Sequence, residues 1–532
     1  MSDWGAQQSG LASAESGLDM VMPSSSFWDD GQLSLMVNNG SLTQSRLDDM
    51  ATRILAPYFR YSTLENPGHG MPVDLLEPHA LTDARDPASR GSIFQAAVEG
   101  QVLVKNTDKA LPLKKPQFIS LFGYDGVAAA HNTMDSGLDF SWWSMGNDVA
   151  RQYLNGSATN STLMWEVFLS EMPWPWNHGP GIALNGTLFA GGGSGTSTPS
   201  YIDAPFDAFQ RKAREDGTFL AWDFSSQQPV VNQGSEVCIV FINAFASEGW
   251  DRPFISDDYS DVLIETVAAQ CNNTMVVIHN AGVRLVDRWI DNPNITAVIL
   301  AHLPGQDTGA ALVEVMYGNQ SPSGRLPYTV AKNESDYAEL GLLDPIIPVG
   351  DVDVFYPQDN FTEGLYIDYR GFIKANITPR YEFGYGLTYT TFEYTSLESD
   401  LVSGADTSYI PPGAGSNTTA SFDEGGLSSL WDVIAIVNCT VTNTGDVEAA
   451  EVAQLYIGIP EADTESPDRV LRGFHKQTIA AGESTTFSFE LTRRDLSYWN
   501  VESQNWVLQE GTYDILVGKS VLDIQLRGNL TI

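Results

Sequence analysis

Short apolar runs alternate with helical patterns between residues 88 and 330. Four of these runs have the length and composition of buried strands: FISLF (118–122), VCIVFIN (237–243), MVVIH (275–279) and ITAVILAHL (295–303). Helices are predicted from Ile93, after a cap at Ser260 or Asp261, and after Thr308. This alternation is typical of an α/β sandwich, a mostly parallel sheet with helices on both faces.

The amino-terminal region ends in a helical pattern. Leu47, Met50, Ile54 and Leu55 recur at helical spacing, and Pro57 is predicted to end the helix. Residues 58–87 are rich in proline, glycine and histidine, which predicts a linker.

After residue 428 the hydrophobic period becomes two. Apolar residues alternate with polar ones over 433–441, 487–491 and 513–517, so that Cys439 faces one side of a strand and Asn438 the other. Short alternating strands with glycine turns predict a β-sandwich. The 331–427 range, which includes a stretch rich in Ser, Gly and Pro, is predicted to be a linker and a surface loop. The whole is a multidomain fold, α/β followed by all-β.

Charge narrows the classes of partner. The 532 residues include 67 acidic and 28 basic side chains, which give a formal net charge of −39. Such a surface repels nucleic acid and anionic membranes. No stretch reaches the roughly 18 apolar residues of a membrane span. We therefore expect a neutral ligand, no nucleic acid and no membrane.

The three cysteines are too few for a disulfide scaffold or a four-thiolate zinc site. Cys238 and Cys271 lie at the amino-terminal ends of what should be neighbouring parallel strands, a placement compatible with a disulfide, and the sequence leaves open whether the disulfide forms. Cys439 faces the sandwich core and should be a free, inert thiol. The seven histidines show no metal-ligand spacing, and neither a metal nor another cofactor is predicted.

Thirteen Asn-x-Ser/Thr sequons indicate a secreted glycoprotein. The sequon at Asn319 is weakened by Pro322. The other predicted glycosylation sites are Asn39, Asn155, Asn160, Asn185, Asn272, Asn294, Asn333, Asn360, Asn376, Asn417, Asn438 and Asn529. Because the first residues, MSDWGAQQSG, lack the basic and apolar regions of a signal peptide, the true start is expected upstream.

Cleavage of a glycosidic bond usually takes two carboxyl groups, one that attacks the sugar or activates water and one that protonates the leaving oxygen. Spacing along the sequence does not identify such a pair. Glu248, however, follows VCIVFINA at the carboxyl end of a predicted strand. Open α/β sheets place functional loops at that edge.

Five ordered segments resemble the fungal β-glucosidases of glycoside hydrolase family 3. They are MSDWGAQQSGLASAESGLDMVMP (1–23), FINAFASEGWDRP (241–253), LPGQDTGAALVEVMYGNQSPSGRLPYTV (303–330), YRGFIKANITPRYEFGYGLTYTTFEY (369–394) and, with the region 498–517, DRVLRGFHK (468–476). The resemblance covers essentially the whole chain in family order. It implies the end of a (β/α)8 barrel (1–57), a linker (58–87), an α/β sandwich (88–330), a linker and surface loop (331–427) and a fibronectin type III-like domain (428–532).

The resemblance also implies the catalytic roles. The Asp of the family's SDW triplet is the nucleophile, which maps to Asp3, and the acid/base Glu maps to Glu248. A retaining double displacement follows, which requires the two carboxyl groups to lie about 5–5.5 Å apart. The implied substrates are cellulose or β-glucan oligosaccharides and other glucosides with terminal non-reducing β-D-glucosyl residues, and no cofactor takes part.

Other residues in these motifs are candidates for substrate contacts. Trp4, next to the nucleophile, is a candidate platform for stacking a sugar, and Trp250 and Arg252 are candidates for shaping the side where the leaving group binds. Asp19, in GLDM, is expected to be structural.

The resemblance predicts that most of the barrel, with the residues that hold the sugar hydroxyls, lies upstream of Met1. A barrel typically takes about 250 residues. We therefore expect the chain as given to be impaired and poorly folded, with Leu47, Met50 and Ile54 forming an exposed apolar stripe.

Two alternatives remain open. One is a β-xylosidase of the same family, although Trp4 after the nucleophile favours a glucosidase. The other is a non-catalytic carbohydrate-binding or interaction protein, against which the presence of both Asp3 and Glu248 argues. The oligomeric state is not predicted.

Overall fold

The computed structural model divides the chain into two units, residues 1–81 and 82–532. It describes residues 1–3, 6–22, 24–61, 85–129, 181–184, 186–191, 199–246, 252, 254–338, 340, 361–415, 421–423, 425–460 and 466–532. In this part of the chain, no helix has both the length and the apolar character needed to cross a membrane.

The first unit contains three helices around a small core. They are α1 (Leu11–Glu15), α2 (Gln32–Asn38) and α3 (Gln44–Tyr61). Their core consists of Ala14, Trp28, Leu42 and Met50.

Helix α3 corrects two expectations. It does not end at Pro57 but continues to Tyr61, because proline removes only its own amide hydrogen bond and the following amides still reach carbonyls four residues back. The predicted exposed stripe is also wrong in part. Met50 is buried and Leu47 packs beside it, and only Ile54 of the three is exposed.

Arg46 on α3 holds the preceding loop in place. Its Nε donates to the carbonyl of Ala14 at 2.7 Å, and its Nη2 donates to the carbonyl of Leu18 at 3.2 Å and to Asp19 Oδ1 at 2.8 Å. Its Nη1 donates to Asp49 at 2.7 Å. The guanidinium therefore joins α1, the loop after it and α3.

The second unit begins with an α/β domain. Its elements are α4 (Arg90–Glu99), β1 (Val102–Asn106), β2 (Phe118–Phe122), α5 (Pro205–Asp216), β3 (Phe219–Asp223), β4 (Val237–Ala244), α6 (Asp258–Ala268), β5 (Thr274–Asn280), β6 (Ile295–Leu300) and α7 (Thr308–Met316). The strands form one sheet in the order β1-β6-β5-β4-β2-β3. All pairs are parallel except β1 with β6, so the predicted, mostly parallel sheet is confirmed with one antiparallel edge strand.

Strand β4 lies in the middle of the sheet, and all eight of its residues are buried. Its alternate side chains enter two different cores. Cys238, Val240 and Ile242 pack toward α6, whereas Ile239 and Phe241 pack toward α4, α5 and α7. A strand covered on both faces has no polar alternation, which is why its sequence is one continuous apolar run.

The cap of α6 differs from the prediction. The helix starts at Asp258, and the cap is Asp257, whose Oδ1 accepts from the Ser260 amide at 2.7 Å. The buried Arg284 fixes this carboxylate by donating to its other oxygen at 3.0 Å. The same guanidinium also donates to Asp261 Oδ1 at 2.8 Å, so it holds two carboxylates at the start of the helix.

The remainder of the described chain includes two short helices and a β-sandwich. These elements are α8 (Glu334–Ala338), α9 (Tyr369–Lys374), β7 (Phe392–Leu401), β8 (Phe422–Asp423), β9 (Gly426–Leu427), β10 (Val433–Asn443), β11 (Ala449–Gly458), β12 (Val470–Ile479), β13 (Ser484–Thr492), β14 (Ser497–Asn500), β15 (Asn505–Leu508), β16 (Thr512–Gly518) and β17 (Ile524–Thr531). Sheets β13-β10-β7 and β12-β11-β16-β17 are antiparallel and enclose a common apolar core.

Two details of the sandwich correct the sequence reading. Strand β7 lies inside the 331–427 range predicted as linker and loop. Its inward pattern is short, because Phe392 and Tyr394 are buried, Leu397 is only partly buried and the rest of the strand is mostly polar. A shift in the pairing of β10 with β13 after Val433 places Ile434 in the core instead of Val433. The predicted inward face at Val437, which includes Cys439, is confirmed.

The structure settles the state of the cysteines, which the sequence left open. Cys238, at the start of β4, and Cys271, in the turn between α6 and β5, form a disulfide that spans 33 residues. Cys439 is a buried free thiol, and burial raises its pKa to about 11, which keeps it protonated and unreactive near neutral pH.

The disulfide should stabilise the α/β domain. Replacing Cys238 and Cys271 together by alanine should lower its free energy of unfolding by about 3–4 kcal/mol, because the cross-link restricts the unfolded chain. Guanidinium unfolding with and without reductant measures this loss, and a Cys439→Ala variant should keep the full sensitivity to reductant. Thiol titration of the unreduced, unfolded chain should find one thiol, and three thiols would contradict the pairing.

Arg46→Met should loosen the first unit. The change removes several hydrogen bonds from one partly buried cation, which should lower the free energy of unfolding of this unit by about 2–3 kcal/mol. Amide hydrogen exchange in α1 and α3 should become faster as a result. Arg53→Met is the matched control, because Arg53 lies on the same helix and pairs with the same Asp49 but is exposed. Equal exchange in the two variants would contradict the role given to Arg46.

Candidate active site

Asp3 is exposed at the beginning of the first unit. The backbone beside it is fixed by Ser2, whose amide donates to the carbonyl of Met20 at 2.9 Å and whose Oγ accepts from the Met22 amide at 2.9 Å. Both ends of the predicted nucleophile segment are therefore held together, although they lie about twenty residues apart. Trp4, the predicted sugar platform, lies outside the described residues.

Asp19 belongs to the same segment but has a different environment. Its carboxylate is 20% exposed and pairs with Arg46. This contact agrees with the structural role predicted for Asp19.

Glu248 and Trp250 lie outside the described residues, but the chain on either side is described. Phe245 is buried directly after β4, and Phe254 is partly exposed. Arg252 donates from Nη1 to the carbonyl of Val283 at 2.6 Å. Burial, with a smaller contribution from the nearby charge of Arg284, lowers the pKa of Arg252.

A buried polar network lies at the carboxyl edge of the sheet, where β2, β4 and β5 end. Asp125 Oδ1 accepts from the Leu188 amide at 2.7 Å and from Asn243 Nδ2 at 2.8 Å, and Oδ2 contacts His279 Nδ1. His279 Nε2 lies 2.6 Å from Thr308 Oγ1 at the start of α7. Nδ1 of the ring thus faces the Asp125 carboxyl group and Nε2 faces the threonine hydroxyl.

The environment of Asp125 is unusual for a carboxyl group. Asp125 and His279 are completely buried. Burial raises the pKa of Asp125, and the contact with His279 and the surrounding donors oppose that shift. A buried carboxyl group is tolerated only when hydrogen-bond donors surround it. The chain segments that supply these donors must therefore pass close to Asp125, and in this way the network determines the local path of the chain.

Gly123 brings Asp125 into this position. It has φ of +96°, and a Cβ atom there would lie 2.1 Å from the carbonyl oxygen of Phe241. Only glycine can bring the chain so close beneath β4 in this conformation.

Sequence reasoning missed this network. A signal was present, since Asn243 and His279 are the polar residues that end two predicted buried strands, and Asp125 follows the end of a third. Parallel strands end at one edge, so such residues are expected to meet there.

A second chain of hydrogen bonds runs along the same edge. His302 Nδ1 donates to the carbonyl of Gly100 at 3.0 Å, and its Nε2 accepts from the Tyr328 hydroxyl at 2.8 Å. The Tyr328 oxygen in turn accepts from Asn280 Nδ2 at 2.7 Å. Burial lowers the pKa of His302 and raises that of Tyr328 to about 12. Both side chains are therefore neutral near pH 7.

A cavity of about 810 Å³ lies next to the chain that follows the Glu248 segment. Its apolar wall includes Ile182, Phe254 and Leu285, and its polar wall includes Asp258 and Lys332. The lining also includes the charged residues Asp257, Asp261, Asp287 and Arg288.

Five predicted glycosylation sites are exposed: Asn39, Asn272, Asn333, Asn376 and Asn529. Asn438 is half-buried. The side-chain amide of Asn294 donates to the carbonyl of Ala268 at 2.8 Å, which makes this sequon the least suited to carry a glycan. Outside the described residues lie Asn155, Asn160, Asn185, Asn360 and Asn417.

Within the described ranges, no group of three or more His, Cys, Asp or Glu side chains is arranged to hold a metal ion.

Two known domain families match the chain. Residues 101–389 match the glycosyl hydrolase family 3 C-terminal domain, and residues 451–521 match the fibronectin type III-like domain. The first match contains the six-stranded sheet, and the second lies within the sandwich.

The chain is similar to curated fungal proteins. The chain is 47% identical over its full length to "Probable beta-glucosidase M" of Aspergillus fumigatus and 44% identical to "Beta-glucosidase cel3A" of Pyricularia oryzae. It spans 63% and 64% of the lengths of these two proteins.

Solved structures agree with these relationships. The beta-D-glucoside glucohydrolase from Trichoderma reesei is 34% identical with a TM-score of 0.76, and 99% of this chain matches 67% of that one. The Chaetomium thermophilum beta-glucosidase is 30% identical with a TM-score of 0.79, and 99% of this chain matches 70% of that one. The resemblance noted in the sequence motifs is thus confirmed, and the chain belongs to glycosyl hydrolase family 3.

Proposed function

We propose that the chain carries the two catalytic carboxyl groups of a retaining β-glucosidase, Asp3 as the nucleophile and Glu248 as the acid/base. The supporting observation is that the similarity to proteins named β-glucosidase runs over the full length of the chain. The matched region therefore includes both the Ser2-Asp3-Trp4 segment and the segment around Glu248. No specific observation favours a β-xylosidase or a non-catalytic protein.

In the proposed reaction, the Asp3 carboxylate attacks the anomeric carbon of a terminal β-D-glucosyl residue. The bond to the leaving oxygen breaks as Glu248 protonates that oxygen, and a glycosyl-enzyme forms. Glu248 then takes a proton from water, which attacks the same carbon and releases glucose and the free Asp3 carboxylate. Trp4 and Trp250 are proposed to contact the sugar and the leaving group.

The domain assignment is part of the same proposal. Residues 1–57 are proposed as the end of a (β/α)8 barrel, 88–330 as the α/β domain and 428–532 as the fibronectin-like domain, with linkers at 58–87 and 331–427. Strand β7 is the exception, because it joins the sandwich from within the second linker.

We also propose that the protein is secreted and glycosylated. The Cys238–Cys271 disulfide supports an oxidising compartment. The five exposed sequons support glycosylation in the same compartment.

The 532-residue chain alone should be a poor catalyst, because it spans 63% of its Aspergillus fumigatus relative. A chimera that adds the unmatched part of that relative should hydrolyse aryl β-glucosides at least about 10²-fold faster, since loss of positioning alone has an effect of this size. The relative itself is the positive control, and an aryl β-xyloside is the competing substrate. Equal rates for chain and chimera, or faster cleavage of the xyloside, would overturn the proposal.

Substitutions in the chimera test the two roles. Asp3→Ala should abolish turnover of all substrates. Glu248→Ala should lower the rate of hydrolysis about 10²–10⁴-fold for substrates with poor leaving groups. The rate should fall much less for a dinitrophenyl glucoside, because its leaving group needs little acid assistance. Added azide should partly restore the Glu248 variant and produce β-glucosyl azide. A uniform loss without rescue would remove Glu248 from the acid/base role.

A further inference from the structure

The segment 181–190 contributes to the wall at the carboxyl edge of the sheet. Ala183, Leu188 and Phe189 are almost completely buried. Besides the Leu188 bond to Asp125, the Thr187 amide donates to the carbonyl of Val127 at 2.7 Å. The segment is therefore anchored to the chain that follows β2.

Asn243 attaches this segment to the end of β4. Its Oδ1 accepts from the Ala183 amide at 2.8 Å, and its Nδ2 donates to the Ala183 carbonyl at 2.9 Å. The same Nδ2 donates to Asp125 at 2.8 Å. One side chain with no solvent exposure thus joins β4, the segment 181–190 and the buried network.

Gly181 contacts the chain on both sides of the Glu248 segment. Its carbonyl accepts from the Phe245 amide at 2.9 Å, three residues before Glu248 in sequence. On the other side, the Phe254 ring lies so close that a Cβ atom on Gly181 would be 2.3 Å from its Cε2. Ile182 and Phe254 also line the same cavity.

We propose that Gly181 and Asn243 are positioning residues that fix where the chain leaves β4 and where it returns at Phe254, and thereby position Glu248. The inference rests on the proposed function only for the role of Glu248. The anchoring of Phe245 and Phe254 stands on the contacts alone. Neither positioning residue is proposed to touch the substrate.

Gly181→Ala is a steric test of this anchoring. A Cβ at this position would clash with the Phe254 ring. Hydrogen–deuterium exchange in the 532-residue chain should become about tenfold faster at residues 245–256. A second change, Phe254→Val, removes the clashing ring atoms and should return exchange to the level of Phe254→Val alone.

Ser120→Ala is the matched control for the loss of a buried hydrogen bond. Ser120 is buried on β2, and its Oγ lies 2.7 Å from Ser235 Oγ, so the variant loses a buried hydrogen bond without touching 181–190. It should leave exchange at 245–256 unchanged, whereas Asn243→Ala should accelerate it. No change in the Gly181 and Asn243 variants, or faster exchange throughout the domain, would overturn the anchoring.

Activity in the chimera tests the consequence for Glu248. Gly181→Ala and Asn243→Ala should lower kcat about tenfold or more for glucosides with poor leaving groups and much less for a dinitrophenyl glucoside. Equal losses on both substrates would overturn the proposal that Gly181 and Asn243 position Glu248. The hydrogen–deuterium exchange measurements would still decide whether these residues anchor the chain at Phe245 and Phe254. Failure of Glu248→Ala to show the leaving-group and azide pattern would instead refute the proposed function.

Discussion

The carboxyl group of Asp125 is buried at the carboxyl edge of the six-stranded sheet. A carboxyl group without access to water must be surrounded by hydrogen-bond donors, and the arrangement of this edge depends on that requirement. Its partners come from separate parts of the chain, since Leu188 follows a long intervening segment and Asn243 and His279 end different strands. Each donor is available only when the strand order is correct. The requirement therefore couples the path of the loops to the formation of the sheet.

Strands β4 and β5 are fixed at both ends as a result. At their amino ends, the disulfide joins Cys238 to Cys271, and at their carboxyl ends Asn243 and His279 converge on Asp125. Between these points the strands are apolar and pair in parallel register. The segment that carries Glu248 thus begins from one of the most constrained strands of the domain, which suits a group whose position must be accurate.

The first unit achieves local order by different means. Its apolar core is small, and the partly buried Arg46 supplements it by donating to two carbonyls and to Asp19. The side chain of Ser2 then ties the backbone next to Asp3 to Met22. Polar contacts to backbone carbonyls and amides can hold a loop in one conformation where there is little apolar surface to bury.

The amino-acid sequence by itself determined the elements with strong local patterns and the family. The run 118–122 matches β2 to the residue, and the alternation around Val437 predicts the inward face of β10, because these patterns record burial directly. The family motifs pointed to Asp3 and Glu248, whose roles remain predictions. Only the tertiary structure decided that Asp257 caps α6, that β7 joins the sandwich, that Asn243 bonds to Asp125 and that Gly181 packs against Phe254. These contacts join residues far apart in sequence, and local propensity carries no information about which distant partner satisfies a buried polar group.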